Sequence, residues 1–224
     1  MVSIIPNPEN YSSGFLAAFW ETFSRQYSCQ SEQLIPLLTK YEKTDQIGQV
    51  ILEIGCGRYP VTDCLNSYHV RILMDVLDLG LVLPSTSAYK VEVDLNCIAA
   101  SVDPKYAEQW YGKKWEQDLA KYEKVLKNVH HIDTIVAGSV LNYIPWRNFF
   151  LRVGHDLSKN GLVFIHNGIE EGEPRRFHET RPRTREEILD FFNYYYQILE
   201  RIEYSNQTLS GPIDYIDLVL RKKF

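Results

Sequence analysis

The stretch VILEIGCG, residues 50–57, decides the fold: five apolar-rich residues run into a turn that carries two glycines one residue apart. A run this short and this apolar reads as a strand buried on both faces, as in a parallel sheet. The glycines let the chain turn sharply and bring its backbone against a ligand with no side chain in the way. Two further runs of the same kind follow, RILMDV (71–76) and KVEVDL (90–95), and two more lie at IDTIVAGSV (132–140) and GLVFIHN (161–167).

Helical patterns separate these runs. SEQLIPLLTKYEK (31–43) reads as a helix that Ser31 can cap, and upstream Phe15, Phe19 and Phe23 recur at four-residue spacing on one helical face. Between the third and fourth strands a long polar stretch places Leu119, Tyr122, Val125, Leu126 and Val129 at helical period, which predicts an inserted helix. WRNFFLRVGHDL reads as a helix ending before Lys159-Asn160-Gly161. Thr184-Arg-Glu-Glu187 is a capping box that opens another, running to about Tyr196. LERIEYSNQ and IDYIDLVLRKKF close the chain as two strands joined at Gly211-Pro212. The order predicts an α/β, doubly wound sheet ending in a hairpin. An N-terminal helical lid would span 1–47 and the main domain 48–224, forming one structural unit.

The two-glycine turn excludes some ligands. A dinucleotide fold would place a third glycine at position 60, which is proline, and no Lys-Ser or Lys-Thr pair follows to make a P-loop. A ligand with a ribose and no phosphate relaxes the third-glycine demand. Asp75 ends the second strand 20 residues after Gly55, where a carboxylate can accept from both ribose hydroxyls, with Val76 beside it. Asp94 ends the third run, placed to accept from an adenine amino group, with Leu95 against the ring.

These residues resemble the class I S-adenosylmethionine-dependent methyltransferases from about residue 48 to the end. VILEIGCG is similar to their first motif, ILMDV to the second, VEVDL to the third, IDTIVAGSVLNYIP to the fourth strand and its loop, and NGLVFIHNG to the fifth. The resemblance implies a seven-stranded sheet with its last strand antiparallel and S-adenosylmethionine across the carboxyl ends of the first strands. It assigns Glu53, Gly55, Cys56 and Gly57 to the methionine part, Asp75 and Val76 to the ribose, Asp94 and Leu95 to the adenine, and Ser139 to the side of the sulfonium. Tyr59 stands where the family usually has its third glycine. NPENY and SRQYSCQSEQLIPLL resemble the entry of amine methyltransferases of the nicotinamide and phenylethanolamine type, which implies Tyr11 and Tyr27 at the cofactor's carboxylate end. Packing beneath the N-terminal helices is the other reading of those two tyrosines.

Methyl transfer from a sulfonium is an in-line displacement that needs a positioned nucleophile and, for a hydroxyl, a base. The loops after the fourth and fifth strands offer Asn142, Tyr143, His166 and Asn167. His166 is the first candidate base and Tyr143 the second, while a structural strand-end histidine is the competing reading. Asn142 and Asn167 are substrate candidates, as is Trp20 in the aromatic N-terminal cover. Arg175, Arg176, Arg181, Arg183 and Arg185 are five of twelve arginines, crowded into eleven residues with His178 among them. They would either grip an acidic substrate, with Arg175 and His178 nearest the pocket, or pair with Glu173, Glu179, Glu186 and Glu187.

Composition bounds the alternatives. With 29 acidic against 24 basic residues the net charge is -5, which disfavours a nucleic-acid partner, and no base-gripping Asn-Pro-Pro-aromatic motif follows the fourth strand. The strand-end segments supply no converging carboxylates, so no metal is expected. No run is long enough for a membrane helix, the start lacks signal-peptide character, and the four cysteines form no CxxC pair, which together predict a cytoplasmic chain with reduced thiols. The expectation is a small-molecule O- or N-methyltransferase of specialised biosynthesis, monomeric or homodimeric. A non-catalytic partner subunit of the same fold and a cofactor-binding enzyme with a non-methylating reaction, such as a cyclisation, are the alternatives.

Overall fold

The computed structural model describes residues 33–57, 60–66, 69–75, 88–169, 182, 184–208 and 211–223. Seven strands form one sheet: β1 (Val50–Ile54), β2 (Val70–Asp75), β3 (Ala88–Glu92), β4 (Ile132–Gly138), β5 (Leu157–Ile169), β6 (Tyr196–Thr208) and β7 (Gly211–Lys222). Their spatial order is β3-β2-β1-β4-β5-β7-β6. The first five are mutually parallel, and β7 runs antiparallel between β5 and β6. The doubly wound sheet with an antiparallel last strand, expected from the sequence, is the observed fold.

Alternation along the central strands explains the two layers. On β1, Val50, Leu52 and Ile54 join one buried cluster while Ile51 joins the other; Ile135 and Ala137 oppose Val136 on β4 in the same way. The larger cluster is covered by α2 (Leu95–Ala100), α4 (Lys114–Val129), α5 (Trp146–Gly154) and α6 (Arg185–Tyr195). The smaller is covered by α1 (Leu34–Lys43), whose Leu34, Leu37, Leu38 and Tyr41 pack with Ile51, Phe164 and Val219. Thus α1 is a layer of the sheet itself. The aromatic helix read around Phe15 lies outside the described residues.

Two connections differ from the expected ones. The third strand ends at Glu92, and Asp94 caps α2 by accepting from the Asn96 amide, so the run read as KVEVDL straddles a strand and a helix start. The inserted helix is three: α2, α3 (Pro104–Tyr111) and α4, with the break at Gly112, whose φ of +52° ends α3. Between β1 and β2 the described residues hold only a 3-10 turn, Val61–Cys64. Among the described residues no helix is long and apolar enough to cross a membrane.

At the centre of the larger cluster Trp146 is fully buried, with its ring 4.9 Å from Phe191 and 5.7 Å from Phe192. Truncating such a ring removes its transfer free energy and leaves a cavity that rigid neighbours fill only in part. Trp146→Ala is expected to destabilise the fold by about 3–5 kcal/mol, read as a lower urea midpoint at unchanged slope.

Candidate functional site

The carboxyl end of β1 is shaped by its turn. Gly55 has φ +63° and donates its amide to Met74 O at 2.9 Å. Gly57 has φ +56°, and among the described residues a Cβ built there would meet no atom within 4 Å. Its amide donates to Asp75 Oδ2 at 2.9 Å, joining the ends of β1 and β2. Cys56 between them is buried, and burial pushes its thiol well above the ordinary range, which leaves an inert side chain at the turn.

Glu53 lies within the sheet, 3% exposed, and its carboxylate accepts from Val61 N (2.9 Å), Thr62 N (3.1 Å) and Thr62 Oγ1 (2.5 Å). The resemblance assigned Glu53 to the methionine part of a cofactor; here its oxygens hold the far side of the glycine loop. Burial pushes its carboxyl up from 4.5 to about 7, against the hydrogen bonds from Thr62 and Val61 that pull it down.

Asp94 and Leu95 are held by the chain. Asp94 Oδ1 accepts from the amide and Nδ2 of Asn96, Oδ2 pairs with Lys114 at 3.1 Å, and the Asp94 amide donates to buried Asp118. An adenine amino group would have to share Oδ2 with Lys114. Leu95, expected against the adenine ring, is buried at the edge of α2 within the larger cluster.

β4 ends at Gly138, opposite His166, while β5 continues to Ile169. Ser139 takes φ +55° and donates its amide to His166 O at 2.7 Å, while its buried Oγ has no hydrogen-bond partner. Asn142 Nδ2 donates to Gly168 O at 2.9 Å, and Asn167 Nδ2 donates to the same oxygen and to Asn142 Oδ1 at 3.3 Å. These bonds pin the short turn Leu141–Tyr143, with half-buried Tyr143, to the end of β5. His166 and Asn167 point to opposite faces of the sheet by strand alternation.

His166 is 1% exposed. Its Nδ1 lies 2.6 Å from Asp217 Oδ1 on β7 and 3.4 Å from the Tyr204 hydroxyl on β6, and its Nε2 has no partner. The imidazole stacks on Tyr215 at 5.4 Å, which stacks on Tyr204 at 5.3 Å. Asp217, Tyr204 and Tyr215 were missed from the sequence. The available signal was Asp217 itself, a carboxylate set between Ile216 and the apolar run Leu218–Leu220.

Tyr11, Trp20, Tyr27, Val76, Arg175 and His178 lie outside the described residues. The described member of the arginine cluster, Arg185, pairs with Glu203 and Asp214 at 3.0 Å each, tying the start of α6 to the final hairpin. Among the described residues no group of three or more His, Cys, Asp or Glu is arranged to hold a metal.

The folded chain keeps the Glu53 proton to about pH 7, whereas the unfolded chain releases it near 4.5. Its contribution to stability therefore falls as pH rises from 4.5 to 7. Removing the titrating group in Glu53→Gln is expected to remove this fall. The urea midpoint of the native protein, relative to the variant, should be lower at pH 8 than at pH 5, and an equal difference at both would contradict the assignment.

No family model matches the chain, and no curated protein matches it in sequence. Solved structures do match. The N-methyltransferase NodS from Bradyrhizobium japonicum WM9, in complex with S-adenosylhomocysteine, is 15% identical with TM-score 0.57 over 86% of this chain and 87% of that one. The Burkholderia thailandensis 1,6-didemethyltoxoflavin-N1-methyltransferase, with its substrate and S-adenosylhomocysteine bound, is 12% identical with TM-score 0.56 over 98% and 94%. The [4+2]-cyclase SpnF is 13% identical with TM-score 0.52 over 85% and 80%. The strand order, the antiparallel β7 and these likenesses give the chain the class I S-adenosylmethionine-dependent methyltransferase fold.

Proposed function

We propose that the chain is an S-adenosylmethionine-dependent methyltransferase that moves a methyl group to an oxygen or nitrogen of a small molecule in a biosynthetic route. The observation that carries this is the turn at Gly57: its left-handed backbone has no described atom within 4 Å of where a Cβ would stand, while its amide is tied to Asp75. That cradle fits a nucleoside cofactor lying across the ends of β1 and β2. Gly55 and Gly57 would bring backbone against its methionine part, Asp75 would accept from its ribose, and the unpartnered Ser139 Oγ would face its sulfonium side. Tyr11, Tyr27 and Val76 belong to the same reading.

S-adenosylmethionine supplies an electrophilic methyl on a positively charged sulfur. Everything else falls to the chain. Glu53 holds Val61 and Thr62 and so stiffens the loop behind Gly57. Asn142 and Asn167 brace the β4 and β5 ends, His166 stands ready to take a proton, and Tyr143 is the second candidate. Arg175, His178 and Trp20 are proposed substrate contacts. A cytoplasmic protein acting as monomer or homodimer, without nucleic-acid or membrane partners, suits the net charge of -5 and a small acceptor.

Calorimetry tests the cofactor. S-adenosylmethionine and S-adenosylhomocysteine are expected to bind the pure protein, and Asp75→Ala to weaken both at least about tenfold, the loss of a charge-assisted hydrogen bond. Absence of binding, or unchanged affinity in the variant, would sink the reading and favour a partner subunit. The [4+2]-cyclase of the same fold supports one further alternative, which predicts cofactor binding with no methylated product by mass spectrometry.

A further inference from the structure

The His166–Asp217 pair is the most demanding feature of the molecule. An imidazole and a carboxylate, 1% and 3% exposed, lose their water at a cost that only good geometry offsets. Asp217, when ionised, can only accept, so at 2.6 Å the shared hydrogen sits on His166 Nδ1. Nε2 is then the lone-pair nitrogen, and it is the buried ring atom that lacks a partner. The stack of His166 on Tyr215 and Tyr215 on Tyr204 fixes the plane of the ring. The Tyr204 hydroxyl, 3.4 Å from Nδ1, is kept protonated by burial and by the charge on Asp217, so it does not take the hydrogen from the pair.

We infer that Asp217 is the positioning residue that holds His166 as its Nδ1–H tautomer, with Nε2 turned to the acceptor, and that the acceptor is therefore a hydroxyl. This rests on the methyl-transfer reading above. A neutral amine attacks with its own lone pair and sheds its proton to water afterwards, and needs no buried base. A hydroxyl oxygen is a weak nucleophile until its proton is removed. His166 Nε2 takes that proton as the acceptor oxygen bonds the methyl carbon. The carbon–sulfur electron pair stays on sulfur, turning the sulfonium into a neutral thioether. The imidazolium formed is balanced by the Asp217 carboxylate and later returns its proton to water.

The wild-type protein without ligand provides the first test. With ¹⁵N-labelled histidine, long-range proton–nitrogen spectra are expected to show His166 protonated at Nδ1; protonation at Nε2 alone would overturn the inference. Asp217→Asn can donate to Nδ1 and is expected to turn the ring to the Nε2–H form. With hydroxyl acceptors found by screening, it should lower kcat about a hundredfold or more at similar KM. A turned tautomer with kcat unchanged would overturn it, as would methylation of the matching amines by the wild-type protein faster than of the hydroxyl acceptors. Failure of S-adenosylmethionine to bind would remove the methyl-transfer reading and leave the tautomer assignment standing, so the two failures are distinct.

Discussion

No side chain fits between the end of β1 and Val140: a Cβ at Gly55 would lie 2.9 Å from Val140 Cγ2 and 3.2 Å from its Cβ. Two left-handed residues, Gly55 and Ser139, turn the chain at the ends of these neighbouring strands, so their loops lean on one another. From that contact the rest of the site is built outward. On one side the loop delivers the Gly57 amide to Asp75. On the other, Val140 leads into the turn that Asn142 fastens to the end of β5. An alanine at 55 would have to displace Val140 and adopt a backbone that L residues resist.

Buried charge is handled in three ways within the one sheet. Glu53 is surrounded by donors yet so desolvated that its proton is retained to about pH 7. Asp118 accepts from the Asp94 amide and from Lys121, which anchors α4 beside the end of β3. Asp217 is matched to a single imidazole. The first two hold loops and helices in register. The third leaves the imidazole Nε2 without a hydrogen-bond partner, and this asymmetry separates His166 from His69, whose two ring nitrogens meet Gly48 O and Glu42.

The central strands were legible because a parallel sheet buried on both faces demands unbroken apolar runs, and β1, β2, β4 and β5 have them. The Thr184 cap was legible because capping is local chemistry, and Thr184 does accept from the Glu187 amide. Asp94 was misread because a strand-end acid and a helix cap look alike in one dimension. Its pairing with Lys114, twenty residues on, depends on the chain reversal at Gly112 and has no local trace. Asp217 was hidden by distance: only the antiparallel register of β7 on β5 puts it opposite His166, 51 residues away.

That register also sets an order of events during synthesis. In the described sheet β6 pairs only with β7, yet it leaves the ribosome first, and β7 must then enter between β5 and β6. Until residue 217 has emerged, His166 has no carboxylate and β5 presents a bare edge along most of its length. Pairing of this long-range kind is slow relative to the local helices. A nascent chain in which the Gly57 amide has already met Asp75 would therefore still lack the His166–Asp217 pair. It would also be at its most prone to join edges with another copy, so the arrival of β7 is the step that covers the edge of β5.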